Sequence, residues 1–238
     1  MTEDSSPILL IFDLDGTIGN TGGVGKTAFE LTFCELYSIP RSAEGIKPFG
    51  KTDQIIFEEL LQNNKIKYQD FKVEFDRFSV QYIANFDILI ADSILPFLYE
   101  GVVDLLTMIE ETEWLYLALG TGNLKETAYL HLQKYNLERY FPTGGFSNFA
   151  KDRSKLINQA FDNAVLHYNI NFDYRQTWVI GDTPNDIIAG KDNNFQTLAV
   201  ATGPFSIDEL SEYKPNAIMR DLTDAELFMS IVQKKDSD

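Results

Sequence analysis

Ile8-Leu9-Leu10-Ile11-Phe12-Asp13-Leu14-Asp15-Gly16-Thr17 is the stretch on which the fold turns. Five consecutive apolar residues rich in β-formers end abruptly in two aspartates and a glycine. A short continuous apolar block of this kind predicts a strand buried on both faces of a parallel sheet. Similar blocks recur at Trp114–Leu119, Thr177–Ile180 and Thr197–Val200, each followed by polar or glycine-containing residues and then by a helix-like segment. That alternation predicts a doubly wound α/β sheet, whose ligands sit outside the carboxyl ends of the strands. The polar residues closing the strands should therefore share one face.

Between the first two strands the chain is far longer than a parallel crossover needs. Within that interval Thr27–Tyr37, Thr52–Asn63 and Tyr68–Ala91 carry helical apolar spacing, separated by Ile39-Pro40-Arg41 and Asn63-Asn64-Lys65. The reading is a helical insertion from about Asn20 to Ile94, followed by a core helix at Tyr99–Glu111. This divides the chain into a core of residues 1–19 and 95–238 and an inserted unit of residues 20–94 placed to cover a site. Phe71, Phe75, Phe78 and Tyr82 lie at helical spacing and are expected in the core of that insertion.

The 238 residues carry 36 acidic and 20 basic side chains, a formal charge of −16. Such a field repels polyanions, so nucleic acid and anionic membrane are excluded as general partners, whereas a local phosphate site is not. A hydrophobic fraction of 44% is that of a chain with a core. Cys34 is the one cysteine, which excludes an internal disulfide and a cysteine-based zinc cluster; it is expected as a small buried residue. Residues Met1–Pro7 lack the positive start of a signal peptide, and no apolar run approaches a membrane span. A cytoplasmic protein is expected, with Lys234–Asp238 as a solvated tail. Oligomeric state leaves no mark on the sequence.

The chemistry is concentrated at the strand ends. Asp13 and Asp15 are two apart, and Gly16 permits a tight turn after them. Thr121-Gly122-Asn123 closes the second strand, and Gly181-Asp182-Thr183-Pro184-Asn185-Asp186 closes a later one, with Asp182 and Asp186 four apart at a helix start. Lys151, Arg153 and Lys155 lie between them. Clustered carboxylates repel and call for a cation; an all-oxygen donor set favours Mg²⁺ over zinc or copper. A hydroxyl at Thr121, the backbone of the Gly122-Asn123 turn and one basic residue of the Lys151–Lys155 stretch can then hold phosphate oxygens. One carboxylate as nucleophile and a second as acid and base complete a phosphoryl-transfer set.

Asp13-Leu14-Asp15-Gly16-Thr17 resembles the first motif of the haloacid dehalogenase superfamily, the aspartate-nucleophile phosphohydrolases. Thr121, Arg153 and Gly181–Asp186 fall in the order of its second, third and fourth motifs, and Thr197–Gly203 followed by Glu209-Leu210 is similar to the closing segment of phosphoglycolate-phosphatase-like members. The resemblance spans about Ile8 to Asp224 and implies a Rossmann-like core with a helical cap inserted after the first motif. It implies Asp13 as the nucleophile that becomes an aspartyl phosphate, Asp15 as acid and base, and Thr121 and Arg153 on the phosphoryl oxygens. Asp13, the Asp15 carbonyl and Asp182 would hold Mg²⁺, supported by Asp186; Thr17, Gly122 and Asn123 join Thr121 and Arg153 as expected substrate contacts.

Two departures bear on this resemblance. Its third motif is more often a lysine, so Lys151 and Lys155 compete with Arg153. Ile18-Gly19-Asn20-Thr21 lacks the acidic residue that relatives often carry near position 20. In the insertion, Gly50-Lys51-Thr52-Asp53 offers Lys51 to an anionic substrate, although a helix cap at Thr52 or Asp53 explains the same residues. His131 and His167 have no motif around them and are expected to be structural or exposed. The reading is a phosphatase of a small phosphorylated metabolite, with phosphoglycolate-like esters as the nearest substrates. A β-phosphoglucomutase-like phosphomutase and a phosphate-binding module without catalysis are the alternatives. A dehalogenase fits less well, because its chemistry needs neither Asp15 nor a metal-binding Asp182.

Overall fold

A computed structural model describes residues 6–40 and 42–233, so the expected solvated tail and most of the N-terminal segment lie outside the described residues. Strand β1 (Ile8–Phe12) is buried along its whole length. It pairs in parallel with β4 (Leu115–Gly120) on one side and β6 (Thr177–Gly181) on the other, placing Leu10 opposite Leu117 and Trp178. With β5 (Gly144–Gly145), β7 (Gln196–Val200) and β8 (Ala217–Met219) these strands make a six-stranded parallel sheet in the order β5-β4-β1-β6-β7-β8. The doubly wound α/β reading is borne out. The order reverses at β1, so the crevice beyond its carboxyl end lies between β4 and β6, where such sheets bind ligands.

The period of two along β1 explains why both faces need cover. Leu10 and Phe12 project into a cluster with Leu105 and Leu106 of α4 (Val102–Glu110), Leu132 of α5 (Lys125–Gln133) and Phe228 of α9 (Ala225–Val232). Leu9 and Ile11 project the other way, against Leu156, Ile157 and Ala160 of α6 (Arg153–Tyr168) and Ala189 of α7 (Pro184–Asp192). Burying each such side chain contributes roughly 1.5–3 kcal/mol. A smaller cluster seats α8 (Ile207–Ser211) through Leu210 on Ile187 and Ala199.

Four strands have no counterpart in the sequence reading. β5 consists of two glycines: a Cβ on Gly145 would lie 2.0 Å from the Leu156 carbonyl oxygen of α6, and one on Gly144 would lie 2.5 Å from the Leu119 carbonyl oxygen of β4. β8 is three residues long. The other two, β2 (Gly19–Asn20) and β3 (Phe97–Leu98), form an antiparallel pair whose partners are far apart in the chain.

Between β2 and β3 run α1 (Val24–Tyr37), α2 (Asp53–Asn63) and α3 (Phe71–Asp92). Thr52 caps α2, accepting from the Ile55 N–H at 3.3 Å, and Asp70 caps α3 through the N–H groups of Lys72 and Val73. The three helices share their own apolar cluster, in which Phe33, Phe57 and Phe78 are fully buried. Phe75 and Tyr82 are buried with them, and Phe71 packs against the same cluster. Cys34 corrects its expectation: it is exposed on α1, next to the buried Phe33. Among the described residues no helix is long and apolar enough to cross a membrane.

Candidate active site

At the carboxyl end of β1 the chain turns sharply through Gly16, whose φ of +91° favours glycine. Close approach demands the same residue: a Cβ on Gly16 would sit 2.3 Å from Asp182 Oδ2, and one on Gly203 only 1.7 Å from the same oxygen. The two glycines make room for the Asp182 carboxylate, which follows β6. Thr17 is fully buried and donates to Asp182 Oδ1 at 3.3 Å. It does not line the cavity, and its hydroxyl supports the Asp182 carboxylate.

Asp13, Asp182 and Asp186 are all buried, and each offers an oxygen within 4.8 Å of the others. Arg153, at the start of α6, reaches into this group: its Nη2 lies 2.9 Å from Asp13 Oδ1 and also donates to Asp186 Oδ1. The Asp186 Oδ2 atom accepts from the N–H of Thr183 at 3.1 Å and from its hydroxyl at 2.7 Å, closing a capping box on α7. Burial pushes the Asp13 carboxyl up to about 7 despite Arg153 beside it. Burial, together with the charges of Asp13 and Asp186, pushes Asp182 up to about 9. Arg153 loses solvation as well, yet Asp13 and Asp186 hold it charged. Only when all three carboxylates are ionised does the single guanidinium leave two negative charges in this buried site, and the raised pKa values mark how poorly it holds them without a further cation. A divalent cation matches that imbalance, and the all-oxygen donor set suits a hard one.

Asp15 points elsewhere. Its side chain is outside the three-carboxylate group and accepts from Asn123 Nδ2 at 2.6 Å. His131 Nδ1 lies 3.8 Å from its other oxygen. His131 is buried with both ring nitrogens unpartnered, and burial lowers its pKa, whereas His167 is exposed. Thr121 is buried at the end of β4 and lines the cavity; its hydroxyl accepts from the Asn123 N–H at 3.3 Å.

Asp13, Asp15, Thr121, Asn123, Arg153 and Asp182 face a cavity of about 630 Å³ that extends under the inserted helices. The start of α2 is docked onto the strand ends. Asp53 N–H donates to the Gly122 carbonyl at 2.8 Å, and the Asp53 carboxylate accepts from the Leu124 N–H at 2.8 Å. Thr52 donates to the Lys151 carbonyl at 2.9 Å, Gln54 donates to the Ser147 carbonyl, and Asn185 donates to the Gly50 carbonyl at 2.8 Å. Burial raises Asp53 to about 7. Lys51 lines the cavity, but its Nζ holds both oxygens of Glu59 at 2.7 Å. Of the competing basic residues, Lys151 is paired with Glu58 and Lys155 is exposed, leaving Arg153 at the carboxylates.

Sequence reasoning missed the pairing of Asn123 with Asp15, the burial of His131 beside that acid, and the role of Asp53. Only Asp53 carried a signal, as an acid after a threonine where one cap residue suffices. Tyr82, expected purely as core, also lines the cavity, with Phe29 and Phe86.

Residues 10–200 match the family model described as haloacid dehalogenase-like hydrolase. The chain is 23% identical over 218 residues to a pyrophosphatase PpaX from Oceanobacillus iheyensis, covering 90% of this chain and 93% of that one. It is 24% identical to a phosphoglycolate phosphatase from Agrobacterium fabrum, over 98% of both chains. A solved hydrolase from Pseudomonas syringae superposes with a TM-score of 0.71 at 19% identity, over 94% of this chain and 98% of that one. With the matched region spanning most of its length, the chain belongs to the haloacid dehalogenase-like hydrolase family.

Proposed function

We propose that the protein is a Mg²⁺-dependent phosphatase of a small-molecule phosphate monoester, working through an aspartyl phosphate on Asp13. One observation carries this reading: Asp13 sits at a strand end with Arg153 Nη2 at 2.9 Å, inside a buried three-carboxylate group that opens on a covered cavity. Asp13, Asp182 and the Asp15 main-chain carbonyl would hold Mg²⁺, with Asp186 beside them, and the ion would supply positive charge to the phosphoryl oxygens. Residues 20–94 act as a cap over the core of residues 1–19 and 95–238, and the protein works in the cytoplasm.

In the first step an Asp13 oxygen attacks phosphorus and the ester P–O bond breaks. Asp15 gives its proton to the departing alcohol oxygen. In the second step Asp15 takes a proton from water, the water oxygen bonds to phosphorus, and the Asp13–phosphorus bond breaks to release inorganic phosphate. Arg153 and Thr121 hold the phosphoryl oxygens, and Asn123 keeps the Asp15 carboxyl turned toward the leaving group. Docking of Thr52, Asp53 and Gln54 on the core keeps bulk water from the acyl phosphate.

The test is phosphate release from a panel of monoesters with and without Mg²⁺, alongside Asp13→Asn. Metal-dependent release that the variant loses by at least ~1,000-fold is the expected result. Accumulation of an isomeric sugar phosphate without free phosphate would make the protein a phosphomutase. Absence of any metal-dependent turnover would leave a phosphate-binding module.

A further inference from the structure

We propose that the alcohol half of the substrate is bulky, predominantly apolar and without a second anionic group; the inference rests on the phosphatase reading of the site. The cavity of about 630 Å³ far exceeds what a phosphoryl group fills and lies in the range that takes whole drug-sized ligands, ~300–1,000 Å³. Its two ends differ in chemistry. The catalytic end carries Arg153 and the carboxylates, whereas the end under the inserted helices is walled by Phe29, Ile46, Phe49, Ile56, Tyr82 and Phe86.

Charge distinguishes an apolar guest from an anionic one. Among the described residues two cations line this half of the cavity, and both have acidic partners: Lys51 holds Glu59 at 2.7 Å, and Lys26 lies 3.8 Å from Glu30 with its side chain 61% exposed. The remaining charged group there is Asp53, a carboxyl that accepts the Leu124 N–H and repels anions when ionised. The start of α1 offers little more, because Thr21 already takes the Val24 N–H on its carbonyl at 3.3 Å and the Gly25 N–H on its hydroxyl at 3.4 Å. A carboxylate or second phosphate in this region would exchange water for aromatic rings and an acid, and would gain a cation only by drawing Lys51 from Glu59 or Lys26 from Glu30. An aryl or branched alkyl body instead buries apolar surface on both sides.

The inference separates this chain from the relatives whose names carry pyrophosphate or phosphoglycolate, both doubly anionic in character. The experiment compares kcat/KM of the full chain with Mg²⁺ for 2-phenylethyl phosphate, phosphoglycolate and pyrophosphate, with p-nitrophenyl phosphate as a general reporter. Phenylethyl phosphate and phosphoglycolate both release an alkyl alcohol, so their ratio reports the cavity more than the leaving group. We expect phenylethyl phosphate to be favoured over both anionic substrates by ~100-fold or more. Phe49 is 52% exposed, so Phe49→Arg adds a cation at the rim without disturbing the core and should narrow the preference about tenfold. Equal or better turnover of phosphoglycolate or pyrophosphate, with p-nitrophenyl phosphate hydrolysed, overturns the inference and leaves the phosphatase reading standing. Failure to hydrolyse any of the four overturns both.

Discussion

Among the described residues Arg153 is the sole basic side chain paired with Asp13 or Asp186, and removing it leaves those carboxylates facing each other in a buried site. Arg153→Ala should lower kcat/KM by ~100-fold or more and destabilise the fold by about 3–5 kcal/mol, the usual result of breaking a buried pair from one side. Parallel kinetics and denaturant melts check both arms. Asp13→Asn should act in the opposite sense on stability, holding or raising the melting temperature while turnover is lost, because it relieves repulsion among carboxylates whose pKa values burial has raised. Asp53 gives a pH prediction with a definite sign. Its folded pKa of about 7 lies above the ordinary value of 3.8, so the folded state keeps a proton that the unfolded chain releases. Its stabilising contribution is complete below pH ~4, is lost as pH rises toward 7, and stays lost above that. Asp53→Asn keeps an acceptor for the Leu124 N–H and does not titrate. The melting temperature of the variant minus that of the native chain should grow from near zero at pH 4 to about 2–4 °C or more at pH 8.

Elements differ in how far their own residues specify them. β1 is legible because five apolar residues with no polar interruption suit a strand covered on both faces, and Leu10→Ala should cost about 2–5 kcal/mol by opening a void between β4, β6 and α4. β4, β6 and β7 follow the same logic, each within a residue of the expected ends. The Gly144–Gly145 strand was invisible because glycine has poor strand propensity, and it is a strand through its pairing with Leu119 and Gly120 of β4, with α6 packed closely on Gly145. The β2–β3 pair was invisible because no local pattern reports a partner beyond three intervening helices. The α2 start was legible as a cap at Thr52, but the docking of Asp53 and Gln54 onto Gly122, Leu124 and Ser147 was not, since cross-chain hydrogen bonds leave no periodicity.

The charge of −16 acts on the molecule as a whole. A dianionic ester approaches against that field, so salt should speed encounter: kcat/KM for such a substrate should rise about two- to threefold between 10 and 150 mM monovalent salt, at fixed Mg²⁺, where a steered anion enzyme would show a fall. The sequence by itself determined the alternation of strand and helix, the gap that houses α1 to α3, and the four aspartates at strand ends, because apolar periodicity and turn chemistry are local properties of the chain. Folding alone decided which of Lys151, Arg153 and Lys155 meets the carboxylates, that Thr17 supports Asp182 inside the protein, and that Asn123 and His131 flank Asp15. It also decided that Lys51 at the cavity pairs with Glu59. Those outcomes depend on where side chains from distant segments converge and on how much water they lose there, and neither quantity is written in the spacing of residues along the chain.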